Sequence, residues 1–496
     1  MQATYIGALD QGTTSTRFIL FDRQARPVAW HQLEHAQHYP QPGWVEHDAS
    51  EIWRNTCTVI AHTLQEAGAT PADVAAMGIT NQRETVLVWD AETGQPLHRA
   101  LVWQDTRTGS FCSTLPAQRC REVTGLPPAT YFSGSKLRWL LQEVPAVRQA
   151  ARRGTAMAGT IDSWLLYKLT GRHVTDVTNA SRTQLMDLRT LRWSDEMLRL
   201  MDIPREVLPA IGASSSASFY GTTLPGGPLG EGVPVCGCLG DQQAALFGQA
   251  CHEAGQAKCT YGTGGFLLLH TGARPTLSSH GLLSTVAFLR EGEPASYALE
   301  GSVAMAGSLV QWLRDQLGII ASSGEVEALA ASVPDNGGVY FVPAFSGLFA
   351  PHWDSTARGV IVGLTHHAGR GHIARSALEA TAFQVRDVFA AMQADAGLRL
   401  PALRVDGGMT ANSLLMQFQA DVLGTAVVRP QCTETTALGA AFAAGLAVGF
   451  WGSLAELRAL WQASATWKPT MTDEKREQLL HHWDMALERS KQWQPR

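Results

Sequence analysis

No apolar run in this chain is long enough to cross a bilayer. The longest small-and-apolar stretch, Ala437 to Phe450, is short and rich in glycine, whereas a spanning helix needs about 20 consecutive apolar residues. It reads as a buried helix. Charge is sparse too: 17% of residues are charged and the formal net charge is -5, so nothing draws the protein as a whole to nucleic acid or to an anionic membrane surface. Any phosphate it binds must be held by a local site. The eight cysteines are scattered, and the close pair Cys236-Gly-Cys238 lacks the partners and spacing of a zinc site. Reduced thiols in a cytosol fit that pattern. The start, Met1-Gln-Ala-Thr4, enters the first apolar run without a basic and apolar leader, so export is not expected. His31, His35 and His38, and the pairs His366-His367 and His481-His482, have no carboxylate at ligand spacing and read as surface residues.

What is present is enough for more than one core: 496 residues, 45% of them hydrophobic. The stretch Tyr5-Ile-Gly-Ala-Leu-Asp10-Gln-Gly-Thr-Thr-Ser-Thr16-Arg17 ends an apolar strand in a carboxylate, a glycine, four hydroxyls and a cation. That order suits polyphosphate, with Gly12 turning the backbone and Thr13, Thr14, Ser15 and Thr16 offering donors. Asp10 would face a magnesium ion, because a bare carboxylate beside phosphate is repulsive. The same residues also suit an ordinary β-turn.

Arg17–Asp22 and Pro27–His31 continue as two more strands, so the phosphate stretch would be the first hairpin of an antiparallel meander. Asp48-Ala-Ser-Glu51 reads as a capping box ahead of a helix with Ile52, Thr56, Val59, Ile60, Thr63 and Leu64 on one face, stopped by Gly68. Val74–Thr80 and Thr85–Trp89 read as strands with Asn81-Gln-Arg83-Glu84 at their turn, a strand end where α/β sheets place sites. The loop Thr222–Pro234 is rich in glycine and proline and reads as exposed and flexible. The opening pattern then returns: Gly255–Thr260, Tyr261-Gly-Thr263-Gly-Gly265 and Phe266–Leu269 are again strand, small-residue hairpin, strand. A third small turn, Asp406-Gly-Gly408, precedes a helix from near Asn412, with Asp406 expected to fix the turn. Between them, helices are expected over Ser302–Leu317 and Ile373–Met392. The chain therefore divides near residue 250 into two α/β halves facing a cleft, a favoured place for ligands.

The ordered set Ala8-Leu-Asp-Gln-Gly-Thr-Thr-Ser15, Gly43-Trp-Val-Glu-His-Asp48, Gly78-Ile-Thr-Asn-Gln-Arg-Glu-Thr85, Val102-Trp-Gln104, Tyr131-Phe-Ser-Gly134, Thr178-Asn-Ala-Ser-Arg182, Gly240-Asp-Gln-Gln-Ala-Ala-Leu-Phe-Gly248, Thr260-Tyr-Gly-Thr-Gly264, Ala298-Leu-Glu-Gly301 and Arg404-Val-Asp-Gly-Gly408 resembles the glycerol kinases of the FGGY carbohydrate-kinase family over essentially the whole chain. The resemblance implies an α/β fold of two actin-like (ribonuclease-H-like) domains with a nucleotide and substrate cleft between them. Residues 1–250 would carry the phosphate hairpin and polyol site, and 251–496 the adenine-nucleotide site. It implies an ATP- and Mg2+-dependent phosphorylation of glycerol to sn-glycerol 3-phosphate, the first step of glycerol catabolism, by a cytoplasmic homodimer or homotetramer.

Carried over by position, the resemblance implies Thr13, Thr14, Ser15 and Arg17 around the phosphates, Asp10 on the metal, and Thr263, Gly307, Gln311, Gly408 and Asn412 at the nucleotide. For glycerol it implies Arg83, Glu84, Tyr131, Asp241 and Gln242 on the hydroxyls, with Trp103 and Phe266 as apolar walls. Asp241 would be the general base, with Asp10 and Arg17 completing the catalytic set. The residues alone leave other roles open: Asp241 suits a helix cap, Arg83 and Glu84 an exposed salt-bridged turn, Trp103 and Phe266 a core. A kinase of another polyol and an actin-like ATPase switch are the competing functions. Many bacterial members carry a basic glycine-rich loop that binds fructose 1,6-bisphosphate. The corresponding Pro225–Pro234 has no cation and an added Glu231, so weak or absent inhibition by that sugar is expected.

Overall fold

The structure, a computed structural model, describes residues 3–494. Its opening sheet runs, edge to edge, Val235–Gly240, Val74–Asn81, Tyr5–Gln11, Ser15–Phe21, Pro27–Glu34. The last three strands form the antiparallel meander, and the first two pair in parallel beside Tyr5–Gln11. Alternation builds this sheet. Ile6, Ala8, Ile19 and Phe21 point into one core, while Leu9, Phe18 and Leu20 meet Ile52, Val59 and Ile60 of helix Ala49–Ala67 on the other face. Both faces are covered, which is why the strands read as near-continuous apolar runs. Asp48 caps that helix by accepting from the Ser50 amide at 2.8 Å, and Gly68 ends it in the left-handed region at φ 61°. Glu51 does not close the expected capping box; its carboxylate takes the Ala36 amide instead.

The second large sheet repeats the plan. Ser296–Val303, Gly265–Gly272 and Ala257–Tyr261 make an antiparallel meander, and Ala402–Asp406 with Ala426–Pro430 continue in parallel from Ala257–Tyr261. Leu283–Phe288 and Ala463–Trp467 extend the two edges. Strand Val86–Asp90 leaves the first sheet for a small one of its own, with Glu46–His47, Ala100–Leu101 and Ala156–Thr160. The turn before it is therefore a crossing between sheets and not a hairpin.

Helix Thr435–Ala447 is the buried helix expected from Ala437–Phe450, and it packs on the first sheet although it belongs to the far end of the chain. It meets helix Asp241–Gly248 through glycines: a Cβ on Gly439 would lie 1.8 Å from the Ala244 carbonyl oxygen, and one on Gly248 2.0 Å from that of Thr435. One core cluster thus joins Ile6, Ala8 and Ala76 to Leu268, Ala287 and Ala437–Ala444. The helix expected over Ser302–Leu317 is shorter: Ser302 lies in strand Ser296–Val303 and the helix spans Gly307–Asp315. The long helix Arg370–Ala396 extends beyond the expected Ile373–Met392 at both ends. No helix among the described residues is long and apolar enough to cross a membrane.

Candidate active site

The register of the first sheet lines up its strand tips. Asp10 pairs with Thr80, Gln11 with Asn81, and Asn81 with Gly240, so Asp10, the Gln82–Glu84 turn and Asp241 leave the sheet side by side. The hairpin after Asp10 is held from behind by its carbonyls. Gly12 accepts from the side chains of Gln11 (2.8 Å) and Gln82 (3.1 Å), Thr13 from Gln37 (3.0 Å), Thr14 from the His35 amide (3.1 Å) and Ser15 from the Gly12 amide (2.9 Å). Among the described residues the amides of Thr13 and Thr14 donate to nothing. A turn with occupied carbonyls and free amides is an anion cradle.

His47 anchors this arrangement. Its Nε2 lies 2.8 Å from Gln37 Oε1 and its Nδ1 3.2 Å from Gln82 Nε2, so Nε2 must donate and Nδ1 accept, as in a neutral imidazole. Burial pushes its pKa down to about 3, with His35 and His38 adding to the shift. Nothing in the sequence singles out His47, and the spacing of His35 predicts a surface residue. The structure corrects that: His35 is only 6% exposed and packs edge-on against His47 at 4.6 Å between ring centroids.

Asp10 is partly open to the cleft, and among the described residues its carboxylate takes no hydrogen bond. Burial raises its pKa to about 7, with Arg17 opposing and Asp241 and Glu434 adding to the rise. A carboxylate so placed, with other carboxylates near and no donor, fits a divalent cation. Arg17 donates from Nε to Gln32 at 2.8 Å and from Nη1 to Glu434.

Arg83 and Glu84 do not form the exposed turn that their adjacency allows. Both are buried, and Glu84 sits at φ 64°, a conformation that non-glycine residues adopt at a cost and that clusters at functional sites. Arg83 donates from Nη1 and Nη2 to the two oxygens of Glu300, at 2.5 and 2.8 Å, and its Nε forms an ion pair with Asp241 Oδ1 at 3.0 Å. Arg182 donates from Nε to Glu84 at 2.6 Å and reaches Glu300 at 3.3 Å. Two guanidiniums and two carboxylates thereby alternate. Burial would raise the pKa of Glu300, but Arg182 and Arg83 outweigh it and hold it at about 2; burial wins for Glu84, whose pKa is raised. Glu300 and Arg182 lie inside motifs singled out in the sequence yet received no role there.

Asp241 is the first residue of helix Asp241–Gly248, and the cap position falls on Gly240. Its Oδ1 accepts from the Gln242 amide at 2.7 Å and pairs with the Arg83 guanidinium; among the described residues Oδ2 has no partner. Trp103 and Tyr131 meet edge to face at 5.6 Å, both half-buried, and the Trp103 indole donates to Thr13 Oγ1 at 3.0 Å. Trp103 therefore ties the aromatic wall to the hairpin and is not a core residue. Burial raises the pKa of Tyr131. Phe266, also half-buried, pairs across the ladder with Thr260.

The second domain supplies a cavity of about 520 Å³ whose lining includes Thr263, Gly307, Gln311, Gly408, Asn412 and Glu327. The structure thus brings all five nucleotide candidates of this half together and adds Glu327. Asn412 caps helix Ser413–Leu423 by accepting from the Leu415 amide. Asp406 does not fix its Gly-Gly turn: its Oδ2 accepts from Gln249 (2.7 Å) and Thr435 (2.8 Å), joining three segments beneath the cleft.

Asp162, Asp176 and Cys238 place ligand atoms within 4.8 Å of one another, but the carboxylates are already occupied by Thr160, Thr175, Thr178 and Ser214. They are a hydrogen-bonded support for the Gly240 strand end, whose amide donates to Thr178 Oγ1 at 2.9 Å.

The N-terminal domain pattern of the FGGY family of carbohydrate kinases matches residues 5–248, and its C-terminal domain pattern residues 257–448. The chain belongs to the FGGY family of carbohydrate kinases. Among relatives of this FGGY kinase, the glycerol kinase of Methylorubrum extorquens (strain PA1) is 58% identical over 98% of both chains. The crystal structure of Plasmodium falciparum glycerol kinase with ADP superposes at a TM-score of 0.92, with 39% identity over 98% of both chains. A gluconate kinase from Lactobacillus acidophilus shares the fold at a TM-score of 0.86 and 23% identity, over 98% of this chain and 97% of that one. The two-domain α/β architecture is that of the family, and within it the fold is common to kinases of different acceptors.

Proposed function

We propose that this FGGY kinase transfers the γ-phosphoryl group of ATP to glycerol, giving sn-glycerol 3-phosphate. The observation that carries the proposal is the sheet register, which brings Asp241, with its unpartnered Oδ2, to the same edge as Asp10 and the anion cradle, while Trp103 spans from the polyol wall to Thr13. The names of the relatives, glycerol kinase in both cases at 39% identity or more, favour glycerol over other acceptors.

In this reading Arg83 holds Asp241 through Oδ1, leaving Oδ2 to orient the attacking hydroxyl and take its proton late in the transfer. Glu84 and Gln242 serve the remaining hydroxyls, while Trp103, Tyr131 and Phe266 pack on the C–H faces. The amides and hydroxyls of Thr13, Thr14 and Ser15, with Arg17, take the phosphates, and the 520 Å³ cavity takes the nucleoside. Asp10 would hold a magnesium ion, which when bound neutralises charge on the transferring group. A cytoplasmic location belongs to the same reading, supported by cysteines that are all free thiols.

An ADP-release assay over glycerol, dihydroxyacetone, erythritol, xylulose and gluconate tests it. Glycerol should show the highest kcat/KM, and Asp241→Asn should lower kcat by roughly 100-fold to 10,000-fold, the range for a positioned base, while nucleotide still binds. A larger acceptor in first place would move the assignment elsewhere in the family. ATP turnover that ignores both acceptor and Asp241 would make the protein an ATPase switch.

A further inference from the structure

Lys258 has no part in the roles above, yet it is fully buried in strand Ala257–Tyr261, against the polyol site. Its Nζ donates to Gln242 Oε1 at 2.5 Å and to Thr260 Oγ1 at 2.9 Å. Burial lowers its pKa, and the carboxylates of Asp406 and Asp241 act against that shift. An ammonium has donors and no acceptor, so the atom of Gln242 that faces it can only be the carbonyl oxygen. The amide is thereby locked in one of its two orientations. Gln242 is itself 7% exposed, and among the described residues its Nε2 has no partner. Next to it in sequence, Asp241 Oδ2 is equally unpartnered.

We infer that Lys258 is a positioning residue that sets acceptor selectivity, by holding Gln242 as a hydrogen-bond donor beside an Asp241 that only accepts. Adjacent side chains then read two hydroxyls differently. One gives its proton to Asp241, and a second offers its oxygen to the Gln242 amide. A free glutamine could turn over and present its oxygen, which would serve a donor instead and blur that distinction. Lys258 also stands on the strand that leads into the Tyr261–Gly265 hairpin, so the lock on the acceptor is supplied by the nucleotide-binding half. The inference rests on the glycerol reading above.

The test compares kcat/KM for glycerol, 1,2-propanediol and 1,3-propanediol, each diol lacking one hydroxyl, in the full-length protein and in Lys258→Met, Lys258→Arg and Gln242→Glu. The preference for glycerol over the diol lacking the hydroxyl read by Gln242 should fall by about 10-fold or more in Lys258→Met, the scale of one buried partner lost. The preference over the other diol and KM for ATP should change less than about twofold, and Lys258→Arg should recover most of the loss. Gln242→Glu keeps the buried contact as an ion pair but replaces the donor by an acceptor, and it should lose the same preference even if Lys258→Met does not fold. Equal losses for all three acceptors, or an unchanged preference in Gln242→Glu, would overturn the inference. A wild-type protein inactive on glycerol would instead refute the function proposed above.

Discussion

Asp10 shows how one residue of the cleft is prepared for a partner. Its carboxyl titrates near 7 in the folded protein, against about 3.9 in an unfolded chain. The folded state therefore binds the proton more tightly, and the stability linked to this group is full below about pH 4 and lost as pH rises through about 7. Asp10→Asn removes that dependence. Scanning calorimetry between pH 5 and pH 8 should show the wild-type midpoint falling relative to the variant as pH rises. Magnesium with ATP should restore the midpoint for the wild type only. The variant should lose activity by roughly 100-fold or more, the few kcal/mol that a bound metal contributes to phosphoryl transfer. Parallel pH profiles of the two midpoints would show that Asp10 bears no such cost.

The same scale shows what was legible in the sequence. Asp10, Thr13, Thr14, Ser15 and Arg17 lie in one short stretch, so their chemistry is visible as a pattern. Glu300 is 217 residues from Arg83, and Arg182 is 98 from Glu84. Nothing local marks an ion pair of that span, and the alternation of charges exists only once two sheets and a loop have met. Lys258 reads as one more strand residue for the same reason.

At the scale of the element, the phosphate hairpin is shaped by residues outside it. Short turns of small residues have many accessible conformations, and the glutamine and histidine contacts select one with its amides outward. His47, from a two-residue strand in a different sheet, fixes both Gln37 and Gln82 by being neutral. His47→Leu should therefore free the hairpin carbonyls and raise KM for ATP by about 10-fold, the effect of one or two hydrogen bonds lost from a preorganised site. KM for glycerol should change far less. With a pKa near 3, His47 stays neutral across the working range, so the acid limb of the pH–rate profile should not shift in the variant. A rise in both KM values together would mean that His47 supports the whole first domain and not the hairpin.

Periodicity announced the strands, the Asp48 cap and the Thr435–Ala447 helix because each depends on neighbours within a few residues. It could not announce that Val86–Asp90 changes sheets, or that the helix expected from Ser302 starts at Gly307, because a strand runs through Val303 to complete the ladder with Gly265–Gly272.

The whole molecule places its two halves of chemistry on different bodies: the anion cradle and Asp241 on the first sheet, the cavity lined by Thr263, Gly307 and Gly408 on the second. The return of strand, small-residue hairpin and strand was visible in the sequence as a duplication. The seating of Thr435–Ala447 against the first sheet was not, since its residues are apolar on all sides and suit any buried position. That helix crosses Asp241–Gly248 with its backbone in close contact at Gly439 and Gly248. The ties across the cleft floor include the paired contacts of Arg83 with Glu300 and the polar contacts of Lys258 with Gln242 and of Asp406 with Gln249 and Thr435. Bringing Thr13 and Thr14 onto phosphates held at Thr263 and Gly408 should close the halves about this crossing. Small-angle scattering should record a fall in the radius of gyration with glycerol and a non-hydrolysable ATP analogue together, and a smaller fall with either alone. Gly439→Ala, which places a Cβ against the Ala244 carbonyl, should reduce that fall and lower kcat. An unchanged radius in the wild type would mean that the cleft binds both substrates already closed.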